Sequence, residues 1–345
     1  MRRESNLMSR RYRRSSAGPR AAAIGVAAIL ATAALTRYLT TRAEANHFPG
    51  GKLLTVRGQK VHFIDEGSGP CVVLLHGNGS MIEDYEATTL IETLARDHRV
   101  IVFDRAGFGV STRESGGTWT PEREAARLSA ILEQLDVRNP VVVGHSWGTM
   151  VALSLALKDR AKVAGLVLLS GYYYPTTRLD VALQTPASLP VIGPILRHTI
   201  LPLMSRLNAP LVIKHMFAPM PVPLLFSRLY SVPMASRPTQ LKSVADDTTT
   251  MPASAARLSQ HYSEIETPVR IIAGADDKIV TTADQSVRLN RELPNSEIQI
   301  LDGVGHMTHH ARPDLVVAAV NELTPRDVGS AFHLKDVPVV DRRVS

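Results

Sequence analysis

The feature that most constrains the fold is a regular alternation of two kinds of segment after residue 53. Short, continuously apolar runs recur at residues 71–75, 100–103, 141–143, 163–169, 269–273 and 298–301. Stretches with the apolar spacing of amphipathic helices lie between most of them, at residues 82–96, 121–135, 150–157 and 283–293. Strands that are apolar throughout are buried on both faces, so the pattern predicts an α/β fold with a mostly parallel sheet covered by helices. Residues 53–57 and 60–65 flank Gly58 and predict a short hairpin before this sheet.

The alternation stops between residues 171 and 262. This stretch holds 12 of the 22 prolines and five of the ten methionines, among short apolar pieces. We interpret it as a helical cap inserted into a core made of residues 46–170 and 263–324. Methionine-rich surfaces adapt to varied apolar ligands, although packing of the cap onto the sheet is the plainer role for most of these methionines. Residues 325–345 carry little periodicity, which predicts a loose C-terminal tail.

The basic charge of the chain is confined to its N-terminus. The net charge is +7, and residues 1–45 contain nine arginines and two glutamates. The other 300 residues hold 30 basic and 30 acidic side chains, so the body of the protein is neutral. A basic face is the electrostatic footprint of a nucleic-acid-binding protein, and nucleic acid is therefore not an expected partner.

The N-terminal segment has the pattern of an export signal or a membrane anchor. Seven of its arginines precede residues 21–35, which are uncharged, and Ala43-Glu44-Ala45 offers a small-residue cleavage site. The apolar run can also extend to Leu39 around Arg37, close to the roughly 20 residues that cross a bilayer. We predict membrane association through residues 21–39: an uncleaved anchor in the cell membrane with residues 46–345 outside the cytoplasm. A secreted or periplasmic protein after signal cleavage is the alternative.

A candidate nucleophile stands directly after the third apolar run of this series. Residues 144–148 read Gly-His-Ser-Trp-Gly and precede a helix-prone segment. This is the strand–turn–helix context of the G-x-S-x-G elbow, in which the serine occupies a strained turn and projects its hydroxyl above the sheet. The sequence therefore indicates Ser146 as a nucleophile.

On these residues the chain resembles the capped, serine-nucleophile members of the α/β-hydrolase superfamily over residues 50–323. The segment His76-Gly77-Asn78-Gly79 is similar to the oxyanion-hole loop of that family. The resemblance implies that the backbone N–H groups of Asn78 and Trp147 face the developing oxyanion. Residues 104–111 are similar to a family segment that is more often a structural turn, so Asp104 is left out of the site.

The resemblance also indicates the acid and the base. Residues 274–280 match the family pattern G-x-x-D-x-x-V with Asp277 at the catalytic place, and Asp276 is the runner-up. His306 follows Gly305 after a late apolar run, as in the G-H loop of the family, whereas His309 and His310 lie farther on. Asp277 would orient the imidazole, and His306 would take the proton of Ser146 and return it to the leaving group.

The nucleophile narrows the reaction. Trp147 beside the nucleophile resembles haloalkane dehalogenases, and Tyr172, Tyr173 and Tyr174 resemble the cap tyrosines of epoxide hydrolases, with Tyr172 a candidate substrate-binding residue. Both families attack carbon with an aspartate, because the resulting ester can be hydrolysed; Ser146 would leave a stable ether. We therefore expect acyl transfer to water, most readily on small-molecule carboxylic esters with apolar acyl groups.

Several alternatives remain open. They are an amide or carbon–carbon hydrolase, a cofactor-free perhydrolase or haloperoxidase, and a non-catalytic binding protein on the same fold. The S-W-G elbow also resembles prolyl aminopeptidases, which hold the substrate amino terminus with cap carboxylates. The cap carries eight basic and three acidic residues, which disfavours that reading, while Glu264 and Glu266 at its exit keep it open. The lone Cys71 forms no internal bridge, no cysteine–histidine spacing resembles a zinc site, and no cofactor is expected. The oligomeric state is left unassigned.

Overall fold

A computed structural model describes residues 17–47, 49–114, 116–158, 162–177 and 179–325. Its centre is an eight-stranded sheet with the order β1-β2-β4-β3-β5-β6-β7-β8. The strands are β1 (Lys52–Val56), β2 (Gln59–Glu66), β3 (Cys71–Leu75), β4 (Arg99–Phe103), β5 (Val141–His145), β6 (Gly165–Leu169), β7 (Val269–Gly274) and β8 (Ser296–Leu301). The arginine-rich residues 2–14 and nearly all of the predicted C-terminal tail lie outside the described ranges.

The pairing of the strands confirms the predicted sheet. Six strands, from β4 through β3, β5, β6 and β7 to β8, are parallel, and β1 and β2 form the predicted antiparallel hairpin at one edge. Every residue of β3 and β5 is buried, as expected of strands covered on both faces. Because parallel strands end on the same edge, the loops that carry Ser146, Asp277 and His306 meet at one side of the sheet.

Helices cover both faces of the sheet. They are α2 (Glu83–Glu86), α3 (Leu90–Leu94), α4 (Pro121–Gln134), α5 (Trp147–Lys158), α12 (Arg288–Glu292), α13 (Thr308–Ala311) and α14 (Pro313–Leu323). Apolar residues of α4 and α5 pack on one face of the sheet, and those of α3 and α14 pack on the other.

Two predicted helices are interrupted. In the stretch 82–96, the Thr88 hydroxyl donates to the carbonyl of Tyr85 at 2.6 Å and accepts the N–H of Leu90 at 3.1 Å. A side chain that bonds to the nearby backbone in this way competes with the helix, and α2 and α3 are separate. In the stretch 283–293, residues Ala283–Val287 form a π-helical turn before α12. The turn buries Gln285, whose amide bonds the backbone of Tyr173 and Tyr174.

Between β6 and β7, in the stretch interpreted as a cap, the described residues form six α-helices. They are α6 (Leu179–Ser188), α7 (Ile192–His198), α8 (Ile200–Phe217), α9 (Leu224–Leu229), α10 (Val232–Ala235) and α11 (Pro238–Leu258). The long helix α11 contacts α5 of the core as well as α6, α7 and α8, so it lies between the sheet layers and the rest of the cap.

The N-terminal helix α1 (Ala17–Ala45) contacts the cap rather than the sheet. Thr36 is buried and donates to the carbonyl of Thr199 at 2.9 Å. Ala43 is buried against Met81 and Met234, and Glu44 pairs with Arg237 at 3.1 Å. Within the described ranges, residues Ala21–Ala45 are the one helix that by itself has the length and composition to cross a membrane.

Candidate functional site

Ser146 stands on a sharp turn between β5 and α5. Its φ of 52° lies in the left-handed region, which a non-glycine residue adopts only when its surroundings enforce it. The flanking glycines make the turn possible: a Cβ on Gly144 would lie 2.6 Å from the carbonyl oxygen of Gly148, and one on Gly148 would lie 2.4 Å from that of Leu75. The sequence pattern therefore folds as the predicted elbow, with the serine at its apex.

The two adjacent carboxylates after β7, those of Asp276 and Asp277, have different hydrogen-bond partners. Oδ2 of Asp277 lies 2.8 Å from Nδ1 of His306, and both side chains are almost fully buried. Oδ1 of Asp277 accepts the N–H groups of Ile279 and Val280, which fixes the carboxylate. Asp276 instead accepts the N–H of Gly303 at 3.0 Å. Asp277 is thus the residue that can orient His306.

A buried hydrogen bond connects the elbow to the loop of His306. His145, which precedes Ser146, donates from Nε2 to the carbonyl oxygen of His306 at 3.1 Å. Burial, with the neighbouring rings of His309 and His306, holds the pKa of His145 well below its usual range, so its ring is neutral. The contact holds the loop of His306 against the residue that precedes Ser146.

The candidate oxyanion loop lies against the elbow. A Cβ on Gly77 would approach the Cβ of Ser146 to 3.1 Å. Asn78 is therefore the residue directly after the point at which the loop meets the elbow. The amide of Asn78 donates to Oγ1 of Thr248 at 2.9 Å and to the carbonyl of Val244 at 3.3 Å, both on α11. Trp147 is fully buried at the first position of α5. The loop is thus held between the elbow and the cap.

Tyr172, the candidate substrate-binding residue, and Asp104 make hydrogen bonds within the fold. Tyr172 is buried, and its hydroxyl accepts the N–H of Thr176 at 2.8 Å, a contact that fixes the chain after β6. Asp104 bonds the ring of His62 and the backbone of Ile82 and Val110, which is the structural turn expected for this segment.

A buried cluster of histidines behind the site was not predicted from the sequence. Nε2 of His309 and Nε2 of His310 lie 3.2 and 2.9 Å from Oδ1 of Asp84, and all three side chains are buried. Burial favours protonation of Asp84, but the two rings that donate to it hold its pKa well below the usual range. The paired histidines are visible in the sequence, but Asp84 stands 225 residues before His309, so no spacing could indicate the partner. Both histidines are bound here and neither replaces His306.

This cluster also holds the donor atoms that best suit a metal ion among the described residues. One ring nitrogen each of His145 and His309 and one oxygen of Asp84 lie within 4.8 Å of one another. The same carboxylate already accepts two histidine N–H groups, so hydrogen bonding and charge account for the arrangement.

A second unpredicted cluster fastens the cap to the core. The side chain of Arg105, in the core, is 1% exposed. It bonds Glu124 of α4 and Asp247 of α11, each at 2.8 Å. Arg113 bonds the other oxygen of Asp247 at 2.8 Å. Arg105 also lies 4.6 Å from the ring centre of Phe108. Long-range charge pairs of this kind leave no local sequence pattern.

The arrangement has the parts of a nucleophilic hydrolase. A serine on a strained elbow lies beside a histidine whose second nitrogen is bound by a buried carboxylate, next to a glycine loop. Groups in this relation can activate a hydroxyl and stabilise the imidazolium that forms.

Curated relatives of the chain are enzymes that differ in their reactions. Cis-3-alkyl-4-alkyloxetan-2-one decarboxylase of Shewanella oneidensis is 34% identical over 130 residues, or 36% of this chain and 40% of that protein. The chain thus spans less than half the length of this relative. 2-Hydroxy-6-oxo-2,4-heptadienoate hydrolase of Pseudomonas putida is 26% identical over 262 residues, covering 74% of this chain and 89% of that protein.

Solved structures share the fold. A thermophilic esterase from Thermogutta terrifontis matches with a TM-score of 0.58 and 23% identity, over 79% of this chain and 95% of its own. A bacterial membrane phospholipase A matches with a TM-score of 0.58 and 18% identity, over 88% of this chain and 94% of its own. A model of the alpha/beta hydrolase family matches residues 72–319, more than two thirds of the sequence. The chain belongs to the alpha/beta hydrolase family.

Proposed function

We propose that the protein is a serine hydrolase that transfers acyl groups from carboxylic esters to water. The observation that carries the proposal is the bond between His306 and Asp277 beside the elbow of Ser146. Of the possible acids after β7, Asp277 alone bonds this histidine among the described contacts. The same geometry argues against a non-catalytic binding protein, because a strained serine elbow and a buried acid–base pair are costly to keep without chemistry.

The proposed reaction follows the charges of the site. Ser146 attacks the carbonyl carbon of the ester while His306 accepts its proton, and Asp277 stabilises the imidazolium. The N–H groups of Asn78 and Trp147 bind the oxyanion of the tetrahedral intermediate. The bond to the leaving alcohol then breaks, and His306 returns the proton to its oxygen. Water, activated by the same histidine, hydrolyses the acyl-enzyme and regenerates the serine.

Esters with apolar acyl groups are the proposed substrates. Met307, the residue after His306, belongs to an apolar cluster with Ala87, Phe217 and Phe226, so the surroundings of the base are apolar on this side and suit an acyl chain better than a charged group. The similarity in fold to an esterase and a phospholipase agrees with this class. The net positive charge of the cap carries less weight, because Arg237, one of its basic residues, is paired with Glu44 of α1.

A second candidate is hydrolysis of a carbon–carbon bond beside a carbonyl. It is favoured by the relative named for 2-hydroxy-6-oxo-2,4-heptadienoate, which matches over most of both chains. The prolyl-aminopeptidase alternative receives less support. Glu264 and Glu266 are exposed, and Glu264 pairs with His261 at 2.7 Å on the surface.

The proposal is tested by labelling with a fluorophosphonate and by a panel of p-nitrophenyl esters of increasing chain length. We expect Ser146→Ala to lose labelling and to reduce kcat by about 10⁶-fold, because the nucleophile is removed. Ser170→Ala is the matched control: Ser170 is buried at the end of β6, also has a positive φ, and should stay labelled. Full labelling of Ser146→Ala would refute the assignment. Turnover of a dienoate substrate with no ester turnover would favour carbon–carbon hydrolysis.

We also propose that α1 is an uncleaved membrane anchor. Cleavage after Ala45 would remove Thr36, Ala43 and Glu44, which are bound to the cap, and would expose Met81 and Met234. A segment that completes the packing of the cap supports retention over removal. N-terminal sequencing of the protein from membrane and soluble fractions tests this: a soluble product that begins near Asn46 would refute the anchor.

A further inference from the structure

Helix α8, the longest cap helix after α11, presents an apolar stripe to solvent. On α8, the side chains of Ile200, Met204, Leu207 and Leu211 are 43–79% exposed. They are separated by four, three and four residues and therefore lie along one face of the helix. A surface helix of a globular domain turns such a stripe towards the core, so α8 has the reverse of the usual orientation.

The two helices before α8 extend this surface. Leu179 and Leu183, one turn apart on α6, are 81% and 80% exposed, and Ile192 and Ile195 of α7 are about half exposed. Taken together, α6 and α7 are apolar enough for a membrane-inserted segment with a bend of 96°. The exposed residues of α6, α7 and α8 are here called the apolar cap face. Contiguous apolar patches of this kind mark protein or membrane contacts.

Helix α1 joins the cap at the edge of this face. Thr36 bonds the carbonyl of Thr199 between α7 and α8, and Arg206 of α8 donates to the carbonyl of Leu39 at 3.2 Å. Residues 21–35 beyond these contacts are largely exposed. Fifteen helical residues rise about 22 Å, less than the roughly 30 Å of a hydrocarbon core. A bilayer around α1 therefore reaches the level at which α1 meets α7 and α8.

We propose that the apolar cap face enters the bilayer that α1 spans, and that the ester substrates are membrane lipids drawn from it. The substrate half of this inference rests on the proposed serine hydrolase function, and the membrane contact rests on the proposed anchor α1 and not on the hydrolase function. The charges agree, since Lys214 and Arg228 are exposed on cap helices near the face. Basic side chains beside an apolar face suit anionic headgroups.

Helix α8 connects the membrane-facing residues to the candidate site. The ring of Phe217 at its C-terminal end lies 5.0 Å from that of His310, and Phe217 packs with Phe226 and Met307. A Cβ on Gly305 would lie 2.0 Å from the carbonyl oxygen of Ala218, so the end of α8 touches the loop of His306. Helix α8 thus carries part of the apolar cap face and contacts the loop of His306 at its C-terminal end.

The membrane contact is tested with the full chain reconstituted in phosphatidylcholine–phosphatidylglycerol vesicles. Leu183→Cys and Leu207→Cys are labelled with an environment-sensitive fluorophore; Cys71 is buried and stays unlabelled. Lipids with brominated acyl chains should quench both labels about twofold, and a label at Arg138→Cys, in an exposed loop of the core, should not be quenched. Absence of quenching at both cap positions overturns the contact. Protection from aqueous iodide without lipid quenching assigns the face to a second copy and also overturns it.

The lipid substrate is tested by comparing two assays. Leu183→Asp and Leu207→Asp should reduce hydrolysis of vesicle phosphatidylglycerol about tenfold and leave turnover of soluble p-nitrophenyl butyrate unchanged. Leu53→Asp is the matched control, since Leu53 is exposed on β1. Ester turnover with no lipid turnover by the unsubstituted protein overturns the lipid substrate and leaves the proposed function standing. Failure of Ser146 labelling refutes the proposed function, while quenching, which needs no turnover, still decides the membrane contact.

Discussion

His145 donates from Nε2 to the carbonyl oxygen of His306, although the two residues are 161 positions apart. The neighbour of the candidate nucleophile is thereby bonded to the backbone of the candidate base. Both groups are buried, and a buried hydrogen bond keeps its geometry because breaking it leaves a desolvated donor and acceptor. A bond within the core therefore helps to set the relative placement of Ser146 and His306.

Asp277→Asn should reduce kcat for ester hydrolysis by about 10⁴-fold. The amide cannot stabilise the imidazolium and favours the wrong tautomer of His306. Asp276→Asn is the adjacent control and should reduce kcat by less than about tenfold, because Asp276 bonds only the backbone of Gly303. Steady-state kinetics on one p-nitrophenyl ester checks both. Equal losses would leave the acid unassigned, and a larger loss at Asp276 would reverse it.

Asn78→Ala should reduce kcat by about tenfold while KM changes little. The Asn78 side chain holds the oxyanion loop to α11, and loosening it displaces a donor that acts mainly in the transition state. Thr248→Val removes one of the same bonds from the opposite side and should give a smaller loss of the same kind. A rise in KM with unchanged kcat would instead mean that Asn78 binds the ground state.

Asp247→Asn should lower the free energy of unfolding by about 3–5 kcal/mol, because it removes the buried carboxylate shared by Arg105 and Arg113 and leaves two buried arginines with the single buried carboxylate of Glu124. Asp246→Asn is the matched control. Asp246 is adjacent in sequence but partly exposed, pairs with Lys242 and approaches Arg113 to 3.7 Å, compared with 2.8 Å for Asp247. A loss of about 0–1 kcal/mol is therefore expected. Urea unfolding of both variants in detergent gives the comparison. Similar losses would show that the buried cluster does not fasten the cap.

Glu83 should make the protein less stable as the pH rises. Burial, with the nearby carboxylate of Asp104, raises the pKa of Glu83 to about 8, above the value of about 4.5 for an unfolded chain. The folded state then holds a proton that the unfolded state has lost between these values. The free energy of unfolding therefore falls across this window, by about 5 kcal/mol.

Glu83→Gln should remove that loss, since the glutamine does not titrate. Unfolding at pH 5 and pH 8 checks this, and Glu92→Gln is the control because Glu92 is exposed on α3. If Glu83→Gln falls as steeply as the unsubstituted protein between the two pH values, another group causes the decline.

The sheet was predictable because its strands carry their own signal. The runs 71–75 and 141–143 are apolar on both faces, and burial on both faces is a property of each strand alone. The bounds of the helices were less predictable from the sequence. The break at Thr88 depends on one hydroxyl that bonds two backbone groups, and the π-helical turn depends on where Gln285 finds the backbone of Tyr173. Apolar spacing does not contain this information.

The site divides in the same way. Ser146 and His306 could be predicted because each stands at a fixed place after a strand, and the choice of Asp277 over Asp276 needed geometry. The links of Asp84 to His309 and of Arg105 to Asp247 join residues more than 100 positions apart. Such pairs form only when the chain has folded, so neither composition nor local spacing indicates them.

The bond between Arg105 and Asp247 has a mechanical consequence for the cap. It fixes α11 to the core, whereas α6 and α7 carry exposed apolar residues and are connected to the core through α11. Elements with fewer buried contacts open at a lower cost in free energy than those that carry the core. Outside a bilayer the cap is therefore stiffer along α11 than along α6 and α7, and amide hydrogen exchange of the protein without lipid should be slow in α11 and fast in α6 and α7. Admission of a substrate then requires movement of α6 and α7 but not of α11. The loop of Asn78, which is bound to α11, keeps its place.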